Sequence, residues 1–446
     1  FESWYLLGKC YSYMAEDDMT WTSDKLIALD KKKITASYQR KAIVCHLMAI
    51  NTFNKTYKAE PNIKNEDETV LEAIFESLGE ILMMAWFQPM KGLCFHQDLD
   101  HVLCMDSNGE LYQTGATSVL TISEHNVKHL MLCCFDIANL HVAKDQVMDS
   151  SSKWLVPFYK AKVSYKAGRR FNDYKSSALA ACFASTSEKS SKASFIMEPH
   201  YFIVSQCYKL VCNGVLSVSE ALTFLKQDND IFELEESFWA CDSITMTTFN
   251  EKLVEMLETL IALDKKKWYH RPKYRIATIY AYSLANTEKA IEFMEELVCA
   301  ASPNKSLVTI WKPDHELPGK HFVYITQYIK FYLKLLFEKK DLAKIGQVSK
   351  KLRKFGSNML KSNEIQDYAT KMYAELVKMF YRFDEKEIVE SFLPQISNTV
   401  FTRISKKVLE TSPSLNSNEE ALNVLFETND QRKASYTQYD DLCIAL

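Results

Sequence analysis

The sequence predicts an all-α fold in which paired helices stack side by side, and three observations lead there. Glycine and proline are scarce, with ten of each in 446 residues; average usage of about 7% Gly and about 5% Pro would supply roughly twice as many or more. All-β folds draw on both residues at their many turns. The hydrophobic share is 47% and the aromatic share 12%, which is ample core material, and the aromatics are expected to fill space between helices. The third observation is a short motif that recurs along the chain.

The motif opens the sequence. Trp4, Leu7, Gly8 and Tyr11 form W-x2-L-G-x2-Y, the first-helix signature of a tetratricopeptide (TPR) repeat. Trp4, Leu7 and Tyr11 are expected to share one helix face, with Gly8 letting the paired helix approach closely. A second copy runs through Tyr201, Val204, Ser205 and Tyr208, followed by Ala221 and Leu225. A looser copy takes Phe158, Ala161 and Tyr165, with Ala178 and Cys182 downstream. A fourth begins at Tyr274 and Ala277, and Ala290 and Met294 supply its second helix. The octapeptide LIALDKKK occurs at 26–33 and again at 260–267. Amphipathic helices are expected after both copies, at Gln39–Ile50 and Lys273–Leu284, so the word reads as a mark of two related repeat units. The fold class is therefore a TPR-like, superhelical array. It has room for one small β-hairpin near 102–113, because Ser107-Asn108-Gly109 is a turn signal between Val102-Leu103 and Leu111-Tyr112.

The chain divides into four segments: TPR-like helices over 1–57, a helical segment with the hairpin over 69–147, a TPR-like block over 153–310, and a helical block over 311–446. Lys58–Glu68 reads as a linker, and 188–193 as a polar loop. An aromatic helix is expected over His321–Leu336, where Phe322, Ile325, Tyr328, Tyr332 and Leu335 recur at helical steps. Further helices are expected at Leu342–Phe355, Ile365–Phe380, from Ile388 through Phe392, and at Glu419–Phe426. The last has Ser417 and Glu420 spaced as a capping box.

Formal charge is −3, a balance that calls for neither nucleic acid nor a membrane surface. No apolar run reaches the roughly 18 residues of a spanning helix. The chain opens without Met and shows no signal peptide, so it reads as a fragment of something longer. The twelve cysteines form no C-x-x-C pair, and Cys10, Cys45, Cys182, Cys207 and Cys299 fall on apolar helical stretches. That usage fits a reducing compartment and a small hydrophobe.

Chemistry-bearing patterns are few. Cys94, His96, His101 and Cys104 lie within eleven residues, and His125, His129 and Cys133 stand at four-residue steps. These are zinc-type ligands, but neither spacing matches a finger or knuckle, and no metal is expected. No G-x-S-x-G, P-loop or Rossmann fingerprint is present, and glycine is too scarce for a phosphate cradle. No cofactor and no catalytic residue are expected. The carboxylate pairs Glu235/Glu236 and Glu295/Glu296 read as solvated faces.

Two stretches stand out as candidate partner surfaces. In Lys265–Arg275, the cations Lys265, Lys266, Lys267, Arg271, Lys273 and Arg275 and the imidazole of His270 interleave with Trp268, Tyr269 and Tyr274. Such a run could grip an acidic peptide or phosphates. The structural reading is favoured: the lysines complement a helix C-terminus, Pro272 restarts the chain, and the aromatics bury. In Ile310–Tyr328, Pro313, Pro318 and Gly319 interrupt helix beside Trp311. The charges Lys312, Asp314, Glu316 and Lys320 surround that anchor and are expected to be free to meet a partner.

These stretches also carry a resemblance. ALDKKKWYHRPKYR, the helix TEKAIEFMEEL and the spacer NKSLVTIWKPDHELPGKHFVYITQYIKFY resemble the TPR-rich subunit of the HIR (histone regulator) chaperone complex, whose animal counterpart is the calcineurin-binding protein cabin. ESWYLLGKCYSYMAEDDMTWTSDKL is similar to that family's first recognisable repeat. The likeness rests on Trp4, Gly8, Trp21, Trp268, His270, Arg271, Pro272, Trp311, Pro313, Pro318, Gly319, His321 and Phe322, and covers about residues 1–50 and 150–340. It implies a non-catalytic nuclear scaffold that joins WD-repeat subunits and meets histones directly or indirectly during replication-independent nucleosome assembly and histone gene regulation. It implies no small-molecule substrate, no membrane and no DNA contact. The calcineurin-binding part of the animal protein is not carried over. The alternative is a generic TPR adaptor in another assembly. One kind of adaptor, the carboxylate clamp, needs inner-face Lys, Arg and Asn that cannot be placed here. A helical-repeat enzyme subunit lacks any candidate nucleophile.

Overall fold

A computed structural model describes residues 1–20, 29–59, 65–87, 89–95, 101–105, 111–115, 124–142, 153–187, 195–228, 232, 245–265, 269–298, 311, 324–355 and 362–382. They divide into two compact units, with the boundary between Pro272 and Lys273. That boundary falls inside the block expected to run from 153 to 310.

The first unit opens with α1 (Glu2–Thr20) and α2 (Leu29–Ala59), then α3 (Asn65–Trp86). The linker expected over Lys58–Glu68 is shorter than the sequence suggested, because helix continues to Ala59 and resumes at Asn65. α1 and α2 run antiparallel: Phe1 meets Phe53 edge-on, Gly8 lies under His46, and Asp18 accepts from the Thr35 hydroxyl. Gly8 makes room for the His46 ring. A Cβ built there would stand 2.8 Å from His46 Cε1 and 2.9 Å from Nδ1. The rest of the opening motif departs from expectation. Leu7 is 41% exposed and Trp4 half-buried, and the face turned to α2 is Gly8, Tyr11 and Ala15. Successive helical residues are rotated by about 100°, so a Gly8 aimed at α2 turns Leu7 away from it. The same device recurs at Gly79 of α3, where a Cβ would meet the Phe135 ring at 2.9 Å. Phe135 belongs to α4 (Glu124–Val142).

Between α3 and α4 lies the hairpin read from the sequence. β1 (His101–Met105) pairs antiparallel with β2 (Leu111–Gly115), with Leu103 opposite Gln113. Its turn residues lie outside the described set.

Helix pairs come next: α5 (Leu155–Lys166) with α6 (Phe171–Ser187), then α7 (Glu198–Cys212) with α8 (Val218–Leu225), then α9 (Met246–Leu263). The motif residues sit as expected. Phe158, Ala161, Ala178 and Cys182 are buried, as are Tyr201, Val204, Ser205, Tyr208, Ala221 and Leu225. The second unit repeats the arrangement with α10 (Arg271–Tyr282) and α11 (Thr287–Val298), α12 (Ile325–Glu338) and α13 (Leu342–Phe355), and α14 (Ser362–Arg382). Ala277, Ala290 and Met294 are fully enclosed. The further helices expected beyond residue 382 lie outside the described residues.

Four of these pairs close alike. Gly168, Gly214, Ala285 and Lys340 each take a left-handed conformation at the turn, with φ between 49° and 75°. Backbone N–H groups then reach back into the first helix, as from Arg169 to Ser164, Val215 to Leu210, Asn286 to Tyr280 and Asp341 to Leu336. These bonds satisfy carbonyls that a helix end leaves open. Ala285 and Lys340 hold a conformation that costs a side-chain-bearing residue roughly 1–2 kcal/mol, so the turn geometry is kept even without glycine. Capping helps: Asn286 and Asp341 accept from backbone N–H groups at the start of α11 and α13, and Ser217 with Glu220 forms a capping box at α8.

The repeated octapeptide does not mark equivalent positions. Its first copy starts a helix, with α2 beginning at Leu29; its second ends one, with α9 stopping at Leu263. There Asp264 leaves the helix and accepts the Tyr269 N–H at 2.7 Å. The residues downstream of each copy, rather than the word itself, decide its conformation.

Enlarging Gly8 to Leu is expected to overpack the α1–α2 crossing and cost about 1–3 kcal/mol, read as a lowered melting temperature; an unchanged melt would refute the crossing. His46 itself is fully enclosed, and burial together with the nearby Lys9 charge pushes its pKa down to about 4. Between pH 6.5 and 4 the unfolded chain therefore binds a proton that the folded chain refuses. The histidine's neutral-state stability is lost as pH falls through that window, by about 3 kcal/mol in all. The stability difference between wild type and His46→Gln should accordingly shift in favour of the variant as pH drops from 7 to 4.5. A pH-independent difference would show that His46 does not titrate this way.

Candidate functional site

From Tyr269 onward the described residues of the basic stretch are buried or half-buried. Tyr269 is buried, with its ring edge-on to Tyr201 at 5.5 Å. The Arg271 guanidinium lies 6.0 Å from the centre of the Tyr201 ring, within cation–π range. Beside it stands Glu198, in the first turn of α7. Burial pushes the Glu198 carboxyl up, while Arg271 and Lys162 pull it back down. Burial, followed by the Glu198 charge, also pushes the Tyr269 hydroxyl well above its ordinary range. Arg271 thus serves as an internal counter-charge. Lys273, the first residue of the second unit, pairs with Glu296 of α11. His270 and Arg275 are half-buried, Pro272 is buried at the second position of α10, and Lys265 is exposed. Lys266, Lys267 and Trp268 lie outside the described residues. Glu295 and Glu296 are more than solvated faces, since each accepts a lysine from a neighbouring helix, Lys344 and Lys273.

Trp311 is 3% exposed and belongs to the same apolar cluster as Ile325, Tyr328 and Tyr332 of α12. Its ring N–H donates to the Val298 carbonyl at 2.7 Å, closing the end of α11. The Lys351 ammonium donates to that carbonyl at 3.0 Å and stands 6.0 Å from the indole centre. One tryptophan therefore ties the end of α11 to α13 within the core shared with α12. Lys312, Pro313, Asp314, Glu316, Pro318, Gly319 and Lys320 lie outside the described residues.

A surface missed at the sequence level lies across α10, α12 and α14. Tyr282 is 59% exposed, and Lys334 sits 5.3 Å over its ring. Lys330 lies over Tyr368 at 5.7 Å and pairs with Glu364. The available signal was Lys330 and Lys334, one turn apart on an otherwise aromatic helix.

Of the zinc-type residues, His96 lies outside the described residues. Cys94 is buried in a short 3-10 turn, its thiol pushed up to about 12 by burial, and its carbonyl accepts from Arg40 at 2.9 and 2.6 Å. His129 and Cys133 are 3.8 Å apart on one helix. Among the described residues no group of three His, Cys, Asp or Glu is arranged to hold a metal. Nor, among them, is any helix long and apolar enough to cross a membrane.

Helix pairs with small residues at their crossings and a recurring left-handed turn define a helical-repeat protein with TPR-type units. Comparison with known families gives the particular one. Residues 175–380 match the HIR3 TPR domain, residues 1–141 the HIR3 helical bundle domain, and residues 387–446 the HIR3 C-terminal helical domain. Along its whole length the chain is 36% identical to the "Histone transcription regulator 3 homolog" of Kluyveromyces lactis and 37% identical to that of Eremothecium gossypii. It is 33% identical to that of Candida glabrata. It spans 27–28% of the length of these relatives. The chain belongs to the HIR3 family. The family separates the opening 141 residues, as a bundle, from the TPR units. The exposed Leu7 of the first motif accords with that separation.

Trp311→Ala should remove a ring and a helix-closing hydrogen bond together and destabilise the second unit by about 3–5 kcal/mol. Denaturant unfolding followed by circular dichroism measures this, with Trp311→Phe expected to fall between. Wild-type stability of the alanine variant would remove Trp311 from its anchoring role.

Proposed function

We propose that this chain is a non-catalytic scaffold segment of a nuclear histone-chaperone assembly, serving replication-independent nucleosome assembly and histone gene regulation. The observation that carries the reading is the tiling of the chain by HIR3 domains, with 36% and 37% identity along this chain to proteins named as histone transcription regulators. The geometry supports it. Stacked helix pairs offer long faces for partner helices or tails, and the buried titratable groups described above are engaged in packing and internal charge pairing.

The partners in this reading are WD-repeat subunits of the same complex and, directly or through them, histones. No small-molecule substrate, cofactor, membrane or DNA enters the scheme. The contact residues proposed are the charges around the Trp311 anchor (Lys312, Asp314, Glu316 and Lys320), with the exposed Lys265 and its neighbours Lys266 and Lys267 as a second patch. His270, Arg271, Lys273 and Arg275 contribute less to partner contact in this proposal, because Arg271 and Lys273 are already engaged. The alternative, a TPR adaptor of another assembly, would recover heat-shock chaperones rather than histones and WD-repeat proteins.

Crosslinking mass spectrometry on the endogenous complex separates the two readings by the identity of the neighbours. The sharper test reverses Lys312, Asp314, Glu316 and Lys320 together. Recovery of WD-repeat subunits should fall severalfold and in a salt-dependent manner, while the helical content of the variant stays at the wild-type level. Undiminished recovery at every salt concentration would reduce that segment to a structural joint.

A further inference from the structure

α1 buries one face against α2 and leaves an ordered pattern on the other. Leu6 and Tyr13 are 62% and 59% exposed, and Leu7 and Met14 are 41% and 43%. Cys10 is exposed between them. The spacing 6, 7, 10, 13, 14 is a continuous apolar stripe at helical period. Of the nine large hydrophobic side chains most exposed among the described residues, these four stand on one helix; scattered singly they would call for no explanation, but a contiguous stripe marks an interaction surface. Acidic residues bound the stripe at both ends, with Glu2 before it and Glu16 and Asp17 after it, all exposed. At the second end Tyr13, Met14, Glu16 and Asp17 line a shallow depression open to solvent, so apolar and acidic groups adjoin there.

The charge around this end is negative beyond α1. Glu76 and Glu80 of α3 stand behind it. Burial, then the Glu76 charge, pushes the Glu80 carboxyl up to about 7, with Lys9 pulling it down and Glu16 pushing it further up. Lys9 lies 5.3 Å over the Tyr13 ring, flanking the stripe. The exposed Glu16 and Asp17 outnumber Lys9 at this end, which favours an arriving cation over an anion.

We propose that the outer face of α1 docks an amphipathic helix of a partner protein, whose apolar stripe lies along Leu6, Leu7, Cys10, Tyr13 and Met14 and whose ends carry Lys or Arg toward Glu2 and toward Glu16 and Asp17. The length fits: Leu6 to Asp17 spans about 16 Å of helix, roughly three turns. A three-turn contact buries less than the ~1,000 Å² that marks a stable interface, so the surface acts as a weak contact that gains strength inside a larger assembly. The proposal does not rest on the scaffold reading, and either can fail without the other.

The test uses the 446-residue chain and two fluorescein-labelled synthetic helices. Both are about five turns long, roughly 18 residues, with Leu at i, i+3, i+4 and i+7; one has Lys at both ends, the other Glu. Fluorescence anisotropy should show the Lys-ended helix binding at least about tenfold tighter than the Glu-ended one, with the difference shrinking as salt rises. Leu6→Ser/Met14→Ser should abolish binding, and because these side chains are exposed the melting temperature should not move. Glu2→Lys/Glu16→Lys/Asp17→Lys should reverse the preference toward the Glu-ended helix. Equal binding to wild type and to Leu6→Ser/Met14→Ser would overturn the proposal, as would the absence of a charge preference. So would a concentration-dependent dimer in sedimentation velocity that Leu6→Ser/Met14→Ser abolishes, since the stripe would then be covered by a second copy of the chain.

Discussion

Paired helices in this protein come close because a small residue, or none at all, occupies the crossing. Gly8 under His46 and Gly79 under Phe135 leave no space for a Cβ without displacing a ring. In later pairs the small residues Ser205, Ala221, Ala277 and Ala290 are buried. Aromatic rings fill space within pairs, as Phe1 with Phe53, Tyr165 with Tyr174 and Tyr280 with Phe293, and also at the seams between one pair and the next. There the aromatic contacts accumulate: Phe158 with Phe202, Phe171 with Phe224, and Tyr274 with Tyr328 and Phe331. The few glycines at helix contacts stand where a neighbouring ring leaves no room for a Cβ.

Among the described residues, polar groups are fitted around that packing. Arg271 offsets a half-buried Glu198 beside two tyrosines, and Lys351 shares a helix-ending carbonyl with the Trp311 indole. Lys339 and Lys344 reach Glu288 and Glu295 across helices of the second unit. Pairs of this kind on a surface contribute at most about 1 kcal/mol each. Their value lies in fixing the lateral alignment of helices whose apolar contacts alone would tolerate some sliding. A stack of helix pairs keeps its faces in constant relation through such cross-links, with little added stability.

Much of the fold was legible in the sequence. Helix dominance came from the Gly and Pro counts, the hairpin from Ser107-Asn108-Gly109 between apolar runs, and α13 from its period, to the residue. The buried anchor at Trp311 was legible too, because a tryptophan among prolines needs an apolar pocket. Other features were not. The exposure of Leu7 depends on which way Gly8 faces, and only the partner helix decides that. The two copies of LIALDKKK begin one helix and end another because Thr35, Gln39 and Ala42 extend the first into a long buried face, whereas Pro272 soon restarts the second. The inward turn of Arg271 was hidden because its counter-charge, Glu198, lies far away in the sequence. The surface of Tyr282, Lys330, Lys334 and Tyr368 draws on three separate helices, and no local pattern brings those together.

The left-handed turns carry one more implication, which concerns how such an array can change over time. A Cβ added at Gly168 or Gly214 would meet nothing within 4 Å, so these corners are unoccupied space bordered by solvent. Only the backbone angle is fixed there, and Ala285 and Lys340 show that even this can be met without glycine. Insertions and deletions at such corners disturb neither the crossings nor the seams. Length variation among related arrays can therefore collect at the hinge of each pair, while the interior keeps its spacing, and a repeat can shed its recognisable glycine yet remain a repeat in three dimensions.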